Sequence, residues 1–270
     1  MKWKPLFFCH IAIAVLLGSF LWPPTFAFWN SLDTVVFKFL NQTLEGHPWV
    51  QVFWAFINHR KADLVEDAIF LLFFILAIRA APKEKRLRRT AEFLFCILIA
   101  GSLIYVVNRT FLKYHVLIPR ESPSLVVTPC VRLSKEVPWL IVKDETVTCF
   151  PGDHATTLLL FTVLYCFFAG KKLGTYAALY AIFRILPRLI VGAHWLSDIL
   201  VGSGCLALFF LSWALCTPFH QWIIDRTEKA LKARFQKKNK LVLEKSCTTD
   251  IQSDICKQES SKDVSTEELR

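Results

Sequence analysis

The chain has 270 residues, of which 54% are hydrophobic, and its formal net charge is +10 at pH 7. Apolar runs long enough to cross about 30 Å of hydrocarbon recur through the first 217 residues, which excludes a soluble globular domain. The lysines and arginines lie between these runs rather than in one patch, so the positive charge does not indicate nucleic-acid binding.

Six apolar runs predict an all-α fold, a polytopic membrane bundle of six transmembrane helices. In chain order they are Leu6–Trp22, Leu64–Ile78, Ala91–Val107, His154–Ala169, Thr175–Val191 and Asp198–Cys216. The first run could also be a cleaved signal peptide, but its length and the runs that follow favour a retained helix. Between the first two runs, the tryptophan-rich segment Asn30–His59 predicts short helices in the membrane interface.

Basic residues are distributed unevenly over the segments that connect these runs. They occur at Lys2 and Lys4, in Arg79–Arg89, at Lys171 and Lys172, and after Pro218. All of them fall on one side of a six-span arrangement, which the positive-inside rule makes the cytoplasmic side. The polar loop 108–153 and the starts of the fourth and sixth runs then face outward. We therefore predict a catalytic membrane domain over 1–217, with the active-site loop facing outward.

The remaining segment, 218–270, is predicted to be cytoplasmic. His220–Lys245 has the composition of a basic amphipathic helix, which either meets anionic membrane lipids or only fixes the topology. The chain after Ser246 is polar and lacks aromatic residues, so it is predicted to be disordered.

Charged residues inside apolar runs indicate where the chemistry lies. An arginine in a hydrophobic helix costs about 2.5–3.5 kcal/mol on insertion scales, so such residues usually serve a function. Arg188, His194 and Asp198 follow one another in the pattern R-x5-H-x3-D. On one helix, His194 and Asp198 would share a face. The carboxylate could then accept the proton of one imidazole nitrogen and leave the other lone pair free to attack phosphorus.

Three cations are brought to one membrane face by the predicted topology, namely Lys113, Arg120 and Arg188. Together they predict a phosphate site, because arginine offers a phosphate group a bidentate fork. Taken singly, Lys113 and Arg120 could instead be interfacial residues whose charges reach lipid headgroups.

The sequence Pro-Gly-Asp-His opens the fourth run. The exposed amides of Gly152 and Asp153 at a helix start favour an anion, and His154 could protonate a leaving oxygen there. The alternative is a simple capping turn with Asp153 as the N-cap. A zinc site on His154, His194 and the two aspartates is disfavoured, because the nearby cations would repel a metal and paired ligand spacing is absent. We predict neither a metal nor a cofactor.

The motifs K-x6-R, P-G-D-H and R-x5-H-x3-D resemble the three-part signature of the type 2 phosphatidic acid phosphatase superfamily. The resemblance implies a helical bundle in which His194 is the nucleophile, Asp198 orients it and His154 is the general acid. It also implies a phosphate site made of Lys113, Arg120 and Arg188. In the first motif Glu121 stands where the family has proline. The second motif lacks the family's serine, whose hydroxyl contacts phosphate.

These departures are similar to one branch of that superfamily, the inner-membrane lipid A phosphotransferases. The likeness rests on R-E-S-P-S-L, F-P-G-D-H and W-A-L-C-T-P and spans most of residues 1–225. It implies transfer of phosphate from undecaprenyl diphosphate to the 1-phosphate of lipid A at the periplasmic face of the bacterial inner membrane. With water as acceptor, the same residues would make a lipid phosphatase. A non-catalytic lipid-phosphate binder would need the cations but no nucleophile.

The nine cysteines carry little chemical signal. Most of them lie in apolar runs, where cysteine acts as a small packing residue. Cys130 and Cys149 share the outer loop, where a disulfide could form on the oxidising side of the membrane. The sequence does not fix their separation in space, so the pairing stays open.

Overall fold

The computed structural model describes residues 1–103, 105 and 119–239, and its regular structure is helical. The main helices up to residue 216 are α1 Trp3–Leu21, α2 Pro23–Asn41, α3 Pro48–Ile57, α4 Ala62–Ala80, α5 Arg86–Ser102, α6 Asp153–Ala169, α7 Lys171–Ile190 and α8 Asp198–Cys216. Helix α8 opens with a π-helical stretch, Asp198–Ser203, before its regular part Gly204–Cys216. Within these described ranges no strand forms, and the predicted all-helical class is confirmed.

Three of these helices, α1, α7 and α8, are long and apolar enough to cross a membrane by length and composition. Helices α3 and α6 are apolar but shorter. Helix α4 carries Asp63, Glu66, Asp67 and Arg79, which lowers its hydropathy, although it follows the predicted second run. The number of six spans therefore stays a prediction.

Glycines with positive φ follow the ends of α6 and α7. Gly170, with φ of 89°, separates α6 from α7, and Gly192, with φ of 77°, follows the end of α7. A Cβ at Gly192 would lie 2.6 Å from Cε2 of Phe37 and 3.0 Å from the amide nitrogen of Ser124. Only glycine combines this left-handed backbone with so close an approach. The chain can therefore leave α7 sharply and start α8 beside it.

Helix α6 packs against α5, α7 and α8, while α1 packs on α8 and α2 packs on α7. A cluster of Ala155, Leu189 and Ile199 joins the start of α6, the end of α7 and the start of α8. The apolar faces of these helices therefore bring the second and third sequence motifs to the same end of the bundle.

The described part of the outer loop, from residue 119 to 152, is folded onto this end. It contains two short helical turns, Pro123–Val126 and Leu133–Glu136. Buried Asn41 anchors it, because its side-chain amide donates to the carbonyl oxygens of Val131 and Ile190 and its Oδ1 accepts from the amide of Val131. These hydrogen bonds hold the loop over the ends of the helices that carry the motifs.

The opposite end of the bundle carries the basic segments around Lys2 and Arg89. The amide of Lys2 donates to the carbonyl of Cys216 at 2.7 Å, and Arg89 bonds the carbonyl of Phe168. Since α6 has 17 residues, these contacts lie about 25 Å along the bundle from the motif end. The basic clusters and the motifs are therefore at opposite ends.

The chain divides into two compact units, Met1–Ile224 and Asp225–Arg270. In the second unit, residues 225–239 are helical, and Lys232 pairs with Glu228 at 2.7 Å. The predicted division between 217 and 218 stays a prediction. The segment predicted to be disordered, after Ser246, lies outside the described residues.

Candidate active site

A cavity of 510 Å³ lies at the motif end, between α4, the start of α6 and the turn that joins α7 to α8. Four predicted site residues line it, namely Asp153, His154, Arg188 and His194. The other lining residues are Asp63, Glu66, Asp67, Phe70, Lys143, Glu145, Thr146, Thr148, Pro151, Thr157 and Ala193. Gly152, Arg120 and Asp198 do not line the cavity, and Lys113 lies outside the described residues.

His194 lies in the turn between α7 and α8, where the gap between the fifth and sixth predicted runs places it, so it does not share a helix face with Asp198. The reason is the break at Gly192, after which α8 begins. Nδ1 of His194 lies 2.9 Å from the carbonyl oxygen of Cys149 and 3.8 Å from Oδ2 of Asp198. Because a carbonyl oxygen can only accept, Nδ1 carries the hydrogen and Nε2 keeps a free lone pair. The backbone of the outer loop therefore fixes the tautomer that a nucleophilic histidine needs.

Asp198 is fully buried and belongs to a network centred on Arg120. Arg120 contacts Oδ1 of Asp198 at 2.5 Å and Oδ2 of Asp33 at 2.6 Å. It also donates to Oγ of Ser197 at 2.7 Å. The other oxygen of Asp198 accepts from the amide of Trp195 at 2.7 Å. The geometry therefore engages Arg120 with two carboxylates rather than with the cavity, and holds the turn that carries His194.

Gly152 and Asp153 form the second motif at the start of α6. Gly152 is the N-cap residue, a position that the capping interpretation gave to Asp153. The carbonyl of Gly152 accepts a hydrogen bond of 2.8 Å from Oγ of Ser203 on α8. A Cβ on Gly152 would lie 3.1 Å from that hydroxyl and 3.7 Å from Cε1 of His194. A small residue here lets the motif approach the histidine, while Asp153 lines the cavity.

Arg188 is buried at the end of α7 and faces the cavity beside a second cation. Its Nη2 lies 3.6 Å from Oδ1 of Asp63, and the other oxygen of Asp63 bonds Nζ of Lys143. Lys143 also lines the cavity. The structure therefore adds Lys143 to the cations that a phosphate group would meet.

His154 meets a buried ion pair that the sequence did not predict. Its Nε2 lies 3.2 Å from Oε2 of Glu66, at an angle that makes no hydrogen bond. The same carboxylate oxygen accepts from Nε of Arg184 at 2.8 Å, and Arg184 donates to the carbonyl of Ile57 at 2.9 Å. Glu66 is thus positioned by α7 and is close enough to bias the charge of His154.

We expect Glu66→Gln to lower kcat by about tenfold or more. General acid–base catalysis contributes roughly 10²–10⁴-fold to a rate, and this variant should lose a part of that contribution. The amide keeps the shape of the side chain but removes the charge beside His154. Steady-state kinetics should show the loss in kcat with donor KM changed by less than about twofold, because Glu66 acts through His154.

Glu66→Asp is the matched control for this positioning role, since it keeps the charge and should recover part of kcat. Thermal unfolding of both variants separates catalysis from folding. Equal losses of kcat in both variants, accompanied by equal losses of stability, would show that Glu66 has only a structural role.

Cys130 and Cys149 are free cysteines, so the disulfide that the shared loop allowed is not formed. They pack in one hydrophobic cluster with Phe37 and Trp195. Burial raises the pKa of both thiols, which makes them weak nucleophiles at neutral pH. Cys149 instead contributes its carbonyl oxygen to His194.

Sequence reasoning missed Asp33, Lys143 and the pair of Glu66 with Arg184. Glu66 and Arg184 carried a usable signal, since each is a charged residue in a mainly apolar helix and such residues are usually paired. Asp33 carried the same signal, because it is the acid of a mainly apolar helix, whereas Lys143 lies beside Asp144 and Glu145 and no local pattern distinguishes it.

The fold and the cavity define a class, a helical protein with membrane-type apolar helices in which two histidines and a buried arginine line one cavity. Residues 128–225 match the family model described as the PAP2 superfamily. The chain is also similar to lipid A 1-diphosphate synthase of Escherichia coli (strain K12). The two are 32% identical over 231 residues, which cover 83% of this chain and 92% of that protein.

The chain therefore belongs to the PAP2 superfamily of lipid phosphatases and phosphotransferases, and it is an enzyme of that superfamily. The family predicted from the three motifs is confirmed. No solved structure matches the chain at a comparable level of significance.

Proposed function

We propose that this enzyme moves a phosphoryl group from undecaprenyl diphosphate to the 1-phosphate of lipid A, at the periplasmic face of the bacterial inner membrane. The observation that carries the proposal is His194, which lines a cavity with His154 and Arg188 while its Nδ1–H is held by the carbonyl of Cys149. Similarity to a lipid A 1-diphosphate synthase over most of both chains supports the choice of acceptor.

In the proposed first step, Nε2 of His194 attacks the terminal phosphorus of the donor. The bond from that phosphorus to the bridging oxygen breaks, and undecaprenyl phosphate leaves with a proton from His154. In the second step, His154 takes the proton of a singly protonated lipid A 1-phosphate, an oxygen of that phosphate attacks the phosphohistidine, and Nε2 regains its lone pair. The atoms balance without a further reactant.

We propose Arg188 and Lys143 as ligands of the transferred phosphate, together with Lys113 and the amides at Gly152 and Asp153. The first two line the cavity and supply fixed positive charge where the phosphoryl group gains negative charge. For Arg120 we propose a different role from the phosphate contact that the motif implies. Its partners are Asp33 and Asp198, so it would hold the turn of His194 in place.

The outward location is supported by charge. Basic residues such as Lys2 and Arg89 lie at the end of the bundle opposite the cavity, and cytoplasmic ends carry an excess of lysine and arginine. Lipid A with its phosphates would meet the cavity from the other side of the membrane.

The assay that tests the proposal uses purified full-length protein and undecaprenyl diphosphate labelled in its terminal phosphate. We expect lipid A to raise the rate of undecaprenyl phosphate formation by about tenfold, a barrier difference of about 1.4 kcal/mol relative to water as acceptor. The lipid product should carry the label and gain the mass of one HPO3 unit.

Lipid A that lacks the 1-phosphate is the matched control acceptor and should give no stimulation. Rapid release of inorganic phosphate that ignores lipid A, with no labelled lipid, would reject transfer. It would identify the enzyme as an undecaprenyl diphosphate phosphatase.

A further inference from the structure

Two grooves with mainly apolar walls adjoin the catalytic cavity, one on each side of α4. The first, which we call the α5 groove, has a volume of 270 Å³ and lies between α4, α5 and α6. The second, the α7 groove, has a volume of 370 Å³ and lies between α3, α4 and α7. Its apolar walls include Phe56, Val65, Leu140 and Phe183. Val65 and Phe183 are exposed, so the α7 groove is open at the surface of the protein.

Helix α4 separates the two grooves by presenting different faces to them. The α7 groove takes Ala62, Val65, Glu66 and Ile69 from α4, and the α5 groove takes Asp67, Phe70, Leu71 and Phe74. Because successive residues of a helix turn by about 100°, the two sets are centred about 140° apart. The residues that α4 contributes to the catalytic cavity, such as Asp63 and Phe70, lie between these directions. A chain in one groove therefore leaves the other groove free.

The α7 groove shares a wall with the catalytic cavity. Glu66 lines both, so its ion pair with Arg184 forms the partition between them. In the loop above, Leu140 lines the groove and Lys143 lines the cavity. This loop is held over the start of α4, because the amide of Lys143 donates to Asn58 and the amide of Arg60 donates to Ile141. A headgroup can therefore reach the cavity along this rim from a chain in the groove.

The two grooves differ in charge. Lys61 and His59 line the α7 groove at the loop that precedes α4, and Lys61 is exposed. In the part of the α5 groove that the structure describes, Asp67 is the charged lining residue and no cation is present. A multiply phosphorylated lipid needs cations beyond those that bind the reacting phosphate, whereas a polyprenyl chain carries no charge of its own. The α7 groove therefore suits the acceptor, and the α5 groove suits the chain of the donor.

We propose that the α7 groove binds an acyl chain of the acceptor lipid, with Lys61 beside the anionic headgroup. This inference rests on the proposed function, since a reaction between two lipids needs two chain sites and hydrolysis needs one. The groove would let the acceptor occupy the enzyme beside the phosphohistidine without displacing the donor's chain from the α5 groove.

The test is a kinetic comparison of single variants of the full-length enzyme, with donor and acceptor concentrations varied separately. Val65→Trp fills the α7 groove, and we expect its KM for lipid A to rise by about tenfold more than its KM for undecaprenyl diphosphate. Tenfold corresponds to the loss of about two buried methylene groups. Gly101→Phe, in the α5 groove, should show the opposite preference and raise the donor KM more.

Leu64→Trp is the matched control, because Leu64 is the neighbouring residue on α4, is similarly exposed and lines neither groove. It should change neither KM. Phe183→Ala provides a second variant from α7, and it should also raise the acceptor KM selectively because the acyl chain loses a contact.

Three results would overturn the inference. The first is a KM shift in Val65→Trp that is equal for both lipids. The second is a selective rise of the acceptor KM in the control Leu64→Trp. The third is an unchanged acceptor KM in both α7-groove variants, Val65→Trp and Phe183→Ala. Each of these leaves the proposed function standing, because the wild-type enzyme would still transfer phosphate to lipid A. Absence of transfer by the wild-type enzyme would instead reject the proposed function, and this inference with it.

Discussion

Replacing His194 by alanine should lower phosphoryl transfer by about 10⁴-fold or more, as removal of a covalent nucleophile usually does. No other described imidazole lines the cavity with its Nδ1 held by a backbone carbonyl, the arrangement seen with Cys149. His154, the second histidine of the cavity, faces the ion pair of Glu66 and Arg184 instead. The remaining histidine of the site therefore cannot replace the nucleophile.

The measurement is the initial rate of labelled lipid formation, together with label retained on protein quenched under alkaline conditions that preserve phosphohistidine. The wild-type enzyme should retain label when lipid A is withheld, and His194→Ala should retain none. His47→Ala is the matched control, since His47 is exposed and lies outside the cavity. Label on His194→Ala, or activity within tenfold of wild type, would move the nucleophile elsewhere.

Arg120→Ala should destabilise the protein strongly. The substitution leaves Asp33 and Asp198 buried without their cation, and breaking a buried pair by removing one partner costs about 3–5 kcal/mol. Activity should fall as well, because Asp198 and Ser197 hold the turn that carries His194. Unfolding in detergent, followed by circular dichroism, measures the first effect, and the transfer assay measures the second.

Arg132→Ala is the control for this prediction. Arg132 pairs with half-exposed Glu145 at the rim of the cavity, and because exposed pairs contribute about 0–1 kcal/mol, Arg132→Ala is a control for the stability measurement. If Arg120→Ala unfolded like wild type and only raised the KM of the donor, Arg120 would be a phosphate ligand, as the motif implies. Arg120→Lys sharpens the comparison, since lysine keeps the charge but cannot bind two carboxylates in a fork.

The sequence was sufficient to predict the helical class and to predict that three ionisable residues share one site. Arg188, His154 and His194 stand out because each lies in or beside an apolar run, where an ionisable side chain is costly without a role. The predicted boundaries were close for α1, α6 and α8, whereas α2 begins at Pro23, before the predicted segment from Asn30, and α5 begins at Arg86 rather than at Ala91. The resemblance to the family was carried by the same residues.

What the sequence could not predict depends on contacts between distant segments. The partner of Arg120, Asp33, is 87 residues away, and Glu66 is 118 residues from Arg184. The partner of His194 is a backbone carbonyl, which no residue type reveals. The gap between the fifth and sixth apolar runs predicted that His194 lies in a turn, but it did not predict the close approach of Gly192 to Phe37 and Ser124 that shapes this turn.

The pairing of Arg184 with Glu66 has a consequence for how the protein enters the membrane. Helix α7 is long and apolar enough to span, but it carries Arg184 and Arg188, and each arginine at mid-membrane depth opposes insertion by about 2.5–3.5 kcal/mol. Its counter-charge stands on α4, which the ribosome makes about a hundred residues earlier. Arg184 therefore has its counter-charge only once both helices have been made and α7 meets α4. Assembly of the catalytic cavity and stable insertion of α7 are then one event.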